Sequence, residues 1–433
     1  MHGVATGGAA AWLLPGGGST GAAESANPSP QTQQRSINAM KPTPLAKPSP
    51  RRQERLSRAL CATVAVLLAG LISINHASAN EGDVPCISLP RPSIGVGGSA
   101  QRPMLARLGR VLAGLAEPST LVYAAPGACN GPNLLRDADS RYSGTASYWL
   151  ADGTERTCTI DEPGVVIDFA VMGNAIDKCP GFTEVPAGVT DFLGPVGTVN
   201  LIVPVSSTEV AISSEALYFV YGFGASGGVE PWTDESQLIS RDVNSFVALY
   251  VSLAAGLPVS RMLGIDARTN GNSVALVAGS PNPNAAIGFT SGSVADAARD
   301  RVRTLAYQHR GQTCAYWPDS TPAAFDKRNV RDGHYWIWGA AHIFARTDNA
   351  GRILNDTSRT WIGWLTGDVP EPADVSVIDL IIEGGDIPQC AMTVRRDGDL
   401  SPPYSWAPPE PSPHFPSNRC SITRTPKSWA RMR

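Results

Sequence analysis

From residue 93 onward, short apolar runs alternate with glycine turns and amphipathic stretches. Ser93-Ile94-Gly95-Val96-Gly97-Gly98-Ser99-Ala100 reads as a strand and a glycine loop. The following run places Met104, Leu105, Leu108, Val111, Leu112 and Leu115 on one side of a helix. Residues 119–125 read as a second buried strand, running into the glycine turn Pro126-Gly127-Ala128-Cys129 and a short helix. Residues 142–160 alternate about Ala151-Asp152-Gly153, the pattern of a hairpin. Residues 165–171 form a further strand, ending at Met172-Gly173-Asn174. Residues 198–205 are the most strand-like run, with Pro204 suited to an edge or to a crossover between domains.

In the second half, Ser213 caps a helix through Tyr221, stopped by Gly222-Phe223-Gly224. A helix over 244–253 ends at Gly256 and Pro258. Residues 274–277 and 286–289 read as short strands, and 294–306 as a helix. Asp326, Lys327, Arg328 and Arg331 read as a solvated ion network preceding the packed aromatics Tyr335, Trp336, Trp338 and Phe344. Strand, glycine turn and helix in alternation predict an α/β protein, in which ligands bind beyond the carboxyl ends of strands.

Composition divides the 433 residues unequally. Residues 1–50 are rich in Gly, Ala, Ser and Pro, too poor in bulky apolar groups to offset ordering entropy, and read as a disordered extension. Residues 51–79 read as an export signal: Arg51, Arg52, Arg55 and Arg58, an apolar run over 59–74, then Ala77-Ser78-Ala79. Cleavage near Ala79 implies a periplasmic or secreted protein, peripheral to a membrane at most; the sequence leaves open an uncleaved segment kept as an anchor, and a start at Met40 in place of Met1. Removing residues 1–79 takes away seven basic and two acidic side chains, leaving 28 and 36, a net charge of −8. No basic patch points to nucleic acid. Seven cysteines follow the signal, and in an oxidising compartment most should pair, in a pattern the spacing leaves open. No CxxC occurs, and His334 and His342 have no third ligand nearby, so no metal or other cofactor is expected.

The glycine loop supplies close backbone approach, free N–H groups at a helix start and the Ser99 hydroxyl, a set suited to an oxyanion. Arg241 before a second helix adds the local positive charge that an acidic protein needs for that task. The same residues have plainer readings: Arg241 paired with Asp242 or another carboxylate, and Ser99 and Ser245 as helix caps.

In order along the chain, the glycine loop, Gly127-Ala128-Cys129, Asp168-Phe169-Ala170-Val171-Met172-Gly173, Ser240-Arg241-Asp242-Val243-Asn244-Ser245 and Ala286-Ile287-Gly288-Phe289 resemble the periplasmic phosphate-binding proteins of ABC uptake systems, in a divergent branch. The resemblance implies a type II periplasmic-binding-protein clamshell. Its first lobe would span 80–198 and a return segment 289–390, its second lobe 199–288, and 391–433 would form a Pro-rich tail tethered through Cys390 and Cys420. It implies a monomer binding a phosphate-like anion, with an ABC permease as partner and no catalytic residue. The matching ligand positions are Gly98, Ser99, Ala100, Ala128, Cys129, Gly173, Arg241, Asn244 and Ser245. Two of them, and the two residues after Ser245, depart from the pattern. Ala128 replaces a hydroxyl, Gly173 an acidic acceptor of the phosphate proton, and Phe246-Val247 a Gly-Thr after Ser245.

Two other readings follow from the same residues. One is a binding-dead relative kept as a surface or interaction protein. The other is a serine hydrolase, because Gly224-Ala225-Ser226-Gly227-Gly228 matches G-x-S-x-G with Asp332 and His334 downstream. That motif needs a strand before it, whereas the preceding residues read as a capped helix.

Overall fold

The structure, a computed structural model, describes residues 84–406. The extension over 1–50, the signal over 51–79 and Cys420 of the tail lie outside the described residues.

The first lobe is built on β1 (Pro92–Gly97), which runs parallel to β2 (Thr120–Ala124) on one side and β5 (Phe169–Met172) on the other. Between β1 and β2, α1 (Arg102–Ala113) buries Met104, Leu105, Leu108 and Leu112, as its periodicity predicts. Each such side chain contributes about 1.5–3 kcal/mol on burial. After β2 comes α2 (Asn130–Arg136), and the hairpin of β3 (Tyr142–Trp149) and β4 (Glu155–Val165) extends the sheet beyond β2.

A single long strand joins the lobes: β6 (Val189–Pro204). Its C-terminal half pairs antiparallel with β7 (Gly288–Ser291) and β8 (Val302–Thr304), and its N-terminal half with β9 (Trp338–Arg346). The strand order is β7-β6-β9-β5-β1-β2-β3-β4, with β8 also on β6. The second lobe carries α3 (Ser214–Phe223), α4 (Phe246–Ala255), α5 (Asn270–Ala278) and α6 (Gly292–Ala297). The chain then passes through the single turn α7 (Arg328–Arg331) and returns along β9, and α8 (Asp356–Thr366) and α9 (Val377–Glu383) complete the first lobe.

Several expectations are corrected. β6 begins at Val189, nine residues earlier than the apolar run indicates. Gly194 and Pro195 obscure its start, and a register shift opposite them, between Ala340 and His342, accommodates the proline's missing N–H. Val165 belongs to β4, and β5 starts only at Phe169. Residues 274–277 are helical, inside α5, because Thr269 caps Asn272 N–H at 3.1 Å and a four-residue apolar run does not by itself distinguish a helix from a strand. The helix expected over 294–306 stops at Ala297, since Val302–Thr304 pairs with β6. The chain returns to the first lobe at Ile337–Trp338, where Ile337 accepts from Val199 N–H and Trp338 faces Thr198, and not at 289. Lys327 is not solvated: it is buried against Asp296 (2.6 Å) and Asp319 (3.0 Å).

The cysteines form Cys86–Cys158 and Cys129–Cys179; Cys390 is also disulfide-bonded, and Cys314 is exposed and free. Among the described residues no helix is long and apolar enough to cross a membrane, and no group of three or more His, Cys, Asp or Glu side chains is placed to hold a metal ion.

Candidate functional site

The carboxyl end of β1 opens into the glycine loop. A Cβ at Gly97 would stand 2.0 Å from the Val171 carbonyl oxygen, so only glycine lets β1 and β5 approach this closely. Tyr123 Oη donates to the Gly98 carbonyl at 2.8 Å and fixes the loop, and burial pushes that phenol well up. Beyond it Ser99–Gln101 forms a 3-10 turn leading into α1, so the Ser99 and Ala100 amides have no acceptor within the helix.

Facing this loop is a cavity of about 40 Å³, also walled by the 125–128 turn and by Arg241, Asp242, Ser245, Phe246, Arg268 and Asn270. One ordered water needs about 10–15 Å³ on this measure, so the space suits a few waters or one tetrahedral anion.

Arg241 leaves the short strand Ile239–Ser240 and is 9% exposed. Its Nη1 donates to Asn270 Oδ1 at 3.1 Å and its Nη2 to the Arg268 carbonyl at 2.9 Å, while its buried Nε has no hydrogen-bond partner among the described residues. No carboxylate among the described residues lies within ion-pair distance of it, contrary to the pairing with Asp242. Burial pulls its pKa below the ordinary guanidinium value, against the more distant Asp242 and Asp266. A buried cation held only by neutral acceptors is costly, and an anion in the cavity would offset that cost. The Arg268 carbonyl reaches Arg241 because Arg268 adopts φ 62°, a strained conformation for a residue with a Cβ.

Asn270 opens α5 and joins the lobes. Its Nδ2 donates to Ser99 Oγ at 3.2 Å, while Oδ1 accepts from Arg241, Thr290 Oγ1 and Ser291 N–H. Ser245 stands at the N-cap position of α4, yet its hydroxyl makes no capping bond. It is buried and lines the cavity, so the plain N-cap reading does not describe it.

Of the nine positions singled out in the sequence, Gly98, Ser99, Ala100, Ala128, Arg241 and Ser245 line the cavity. The other three do not. Cys129 is buried and committed to Cys179. Gly173 lies under the ring of Phe246, where a Cβ would come within 2.5 Å of Cδ2. Asn244 is exposed, its N–H bound to Asp242 Oδ1. The sequence reading missed Arg268 and Asn270 because it placed a strand over 274–277. Thr269, a capping residue just before Asn270, is the signal that would have moved the helix start.

Ser226 is exposed in the 3-10 turn Gly224–Gly227, directly after α3. A nucleophile elbow needs a strand there, so this serine lacks the local structure of a hydrolase nucleophile.

Two α/β lobes joined by a shared crossover strand, with a small polar cavity at the carboxyl end of the first parallel strand, define the type II periplasmic-binding-protein clamshell. No protein-family model matches the chain, and no curated protein matches it. Among solved structures it is similar to a "putative phosphate ABC transporter substrate-binding protein" with bound phosphate from Clostridium perfringens, at 14% identity and TM-score 0.48, over 69% of this chain and 99% of that one. It is also similar to an ABC-type phosphate transport receptor from Vibrio cholerae, at 16% identity and TM-score 0.41, over 68% and 98% of the two chains.

Proposed function

We propose that this protein binds a small oxyanion of the phosphate class in the interlobe cavity and has no catalytic residue. The observation that carries the reading is Arg241: a buried guanidinium that among the described residues has no partner for its Nε and no carboxylate in ion-pair distance, at a cavity that also holds the non-capping Ser245 hydroxyl and the Ser99 turn. In the same reading the protein works outside the cytoplasm as a monomer and passes its anion to an ABC permease. The signal-like segment over 51–79 and the disulfides, which persist in oxidising compartments, support that placement.

The test is thermal unfolding with rising inorganic phosphate, and with sulfate and chloride as comparisons. A ligand that binds only the folded state adds about 2.7 kcal/mol at a hundred times its Kd and goes on adding with the logarithm of its concentration, so a Tm that climbs logarithmically above the Kd is expected with phosphate or sulfate. Arg241→Ala removes that rise. A Tm equally indifferent to every anion in both proteins overturns the reading.

One observation favours the binding-dead alternative. The Phe246 ring covers Gly173, where the resemblance implied a polar ligand group. The flat response in the same experiment is what that alternative expects.

A further inference from the structure

We propose that residues 392–406, at the start of the Pro-rich tail, form a strap that latches the two lobes together through Asp399. The cleft opens only when that latch releases.

Asp399 touches both lobes at once. Its Oδ1 accepts from Tyr250 Oη on α4 at 2.5 Å, and its Oδ2 accepts from the Ala175 N–H, just beyond β5, at 2.9 Å. Tyr250 lies one turn after Phe246 on α4, so two aromatic side chains of one helix meet the 173–175 segment. Phe246 packs on Gly173 directly, and Tyr250 reaches Ala175 through the Asp399 carboxylate. Hydrogen bonds to an ionised carboxylate are the strong kind, and here one acceptor group spans the cleft.

The strap is anchored where the chain crosses between lobes. Arg396 is half-buried beside Trp338, its guanidinium 3.9 Å from the ring centroid. It donates to the carbonyls of Trp336 and Trp338, at 2.8 Å each. Thr393 binds the Arg331 carbonyl through both its N–H and its hydroxyl, and Val394–Arg395 pairs with Tyr404–Ser405. From that base a turn carries Asp399 forward, closed by Ser401 N–H on the Gly398 carbonyl and by Gly398 N–H on Ser401 Oγ. Leu400 takes φ 55° within it, a conformation disfavoured for any residue with a Cβ, while its side chain packs against the main apolar cluster. An anchored base, a strained turn and a carboxylate at its tip bonded to both lobes make up a latch. A loose tail would need none of these.

The strap stands independently of the anion reading, because its test uses no anion. Hydrogen exchange is followed by mass spectrometry on the full chain, together with an interlobe distance from fluorophores placed on α1 and α3. Tyr250→Phe keeps the ring and cuts only the second-lobe half of the latch, leaving the acceptor of Ala175 in place. It is expected to speed exchange at Ala175 and at the 98–100 and 245–247 amides on the order of tenfold, the effect of losing one charge-assisted hydrogen bond, and to lengthen the interlobe distance. Asp399→Ala is expected to give the same opening or a larger one. If exchange at the cavity amides and the interlobe distance are unchanged in Tyr250→Phe, the latch is refuted. Faster exchange confined to Ala175 in Asp399→Ala, with the cleft unaltered, also refutes it, since that is simple loss of one acceptor. Should Asp399→Ala fail to fold, Tyr250→Phe decides the matter alone.

Discussion

Asn270 of the second lobe donates to Ser99 Oγ of the first at 3.2 Å, and the same side chain accepts from Arg241 at 3.1 Å. One amide therefore bonds the first lobe and holds the buried cation. Both halves are needed, the donor for the first lobe and the acceptor for Arg241.

Asn270→Asp separates them. The carboxylate loses the donor to Ser99 and places a negative charge on Arg241, occupying the cation that an anion would use. Charge-assisted bonds contribute about 1.5–3 kcal/mol, so oxyanion affinity falls tenfold or more while the melting temperature holds or rises. Calorimetric titration and thermal unfolding of the variant check the two halves together.

Ser245→Ala distinguishes a ligand from a cap. Loss of a working N-cap costs about 1 kcal/mol, whereas the Ser245 hydroxyl caps nothing. Stability should hold or rise slightly, since the change removes a buried hydroxyl that caps nothing, with weaker anion binding. A full capping loss with unchanged binding would return Ser245 to a structural role.

Gly173→Ala tests the fit of Phe246 across the cleft. The new Cβ would stand 2.5 Å from the ring, and overpacking of this kind costs about 1–3 kcal/mol. Phe246→Ala in the same chain relieves the clash, so the two changes should couple in a double-mutant cycle of unfolding free energies. Independent, additive effects would show that the two residues do not bear on each other.

These pairs also mark what the sequence could reveal. The β1–glycine loop–α1 unit and the Ser213 cap were legible because their signals are local: alternating apolar residues, a glycine run and a hydroxyl before an apolar period. Asn270 was hidden because an apolar run of four residues is too short for its periodicity to separate helix from strand. The Phe246–Gly173 contact joins positions 73 residues apart, and the Asp399 bridge reaches 224 residues back to Ala175. No periodicity encodes such contacts, so tertiary structure alone brings them into view. Lys327 misled for a related reason. It sits in a charged run that reads as a solvated face, yet its partners Asp296 and Asp319 come from elsewhere in the chain.

Asp168 sets a pH dependence. Burial raises its carboxyl to about 6, against the lowering effects of the Ile94 N–H, Asn355 and Arg346. The unfolded carboxyl titrates near 4, so the folded state holds more protons between about pH 4 and 6. Its contribution to stability is fully present below about pH 4 and is lost as pH rises through about 6. Asp168→Asn lacks this component, so its Tm relative to the parent should climb between pH 4 and 6 and level off above. A constant offset across that window would show that Asp168 does not titrate there.

The central claim is that Arg241 is a cation awaiting an anion, and isothermal titration of inorganic phosphate and sulfate into the parent protein and Arg241→Ala measures it most directly. The account predicts saturable heat at one site per chain in the parent for at least one of these anions, and none in the variant, with both proteins folded at the same temperature. No heat with either anion in the parent, or equal heat in both proteins, would contradict it.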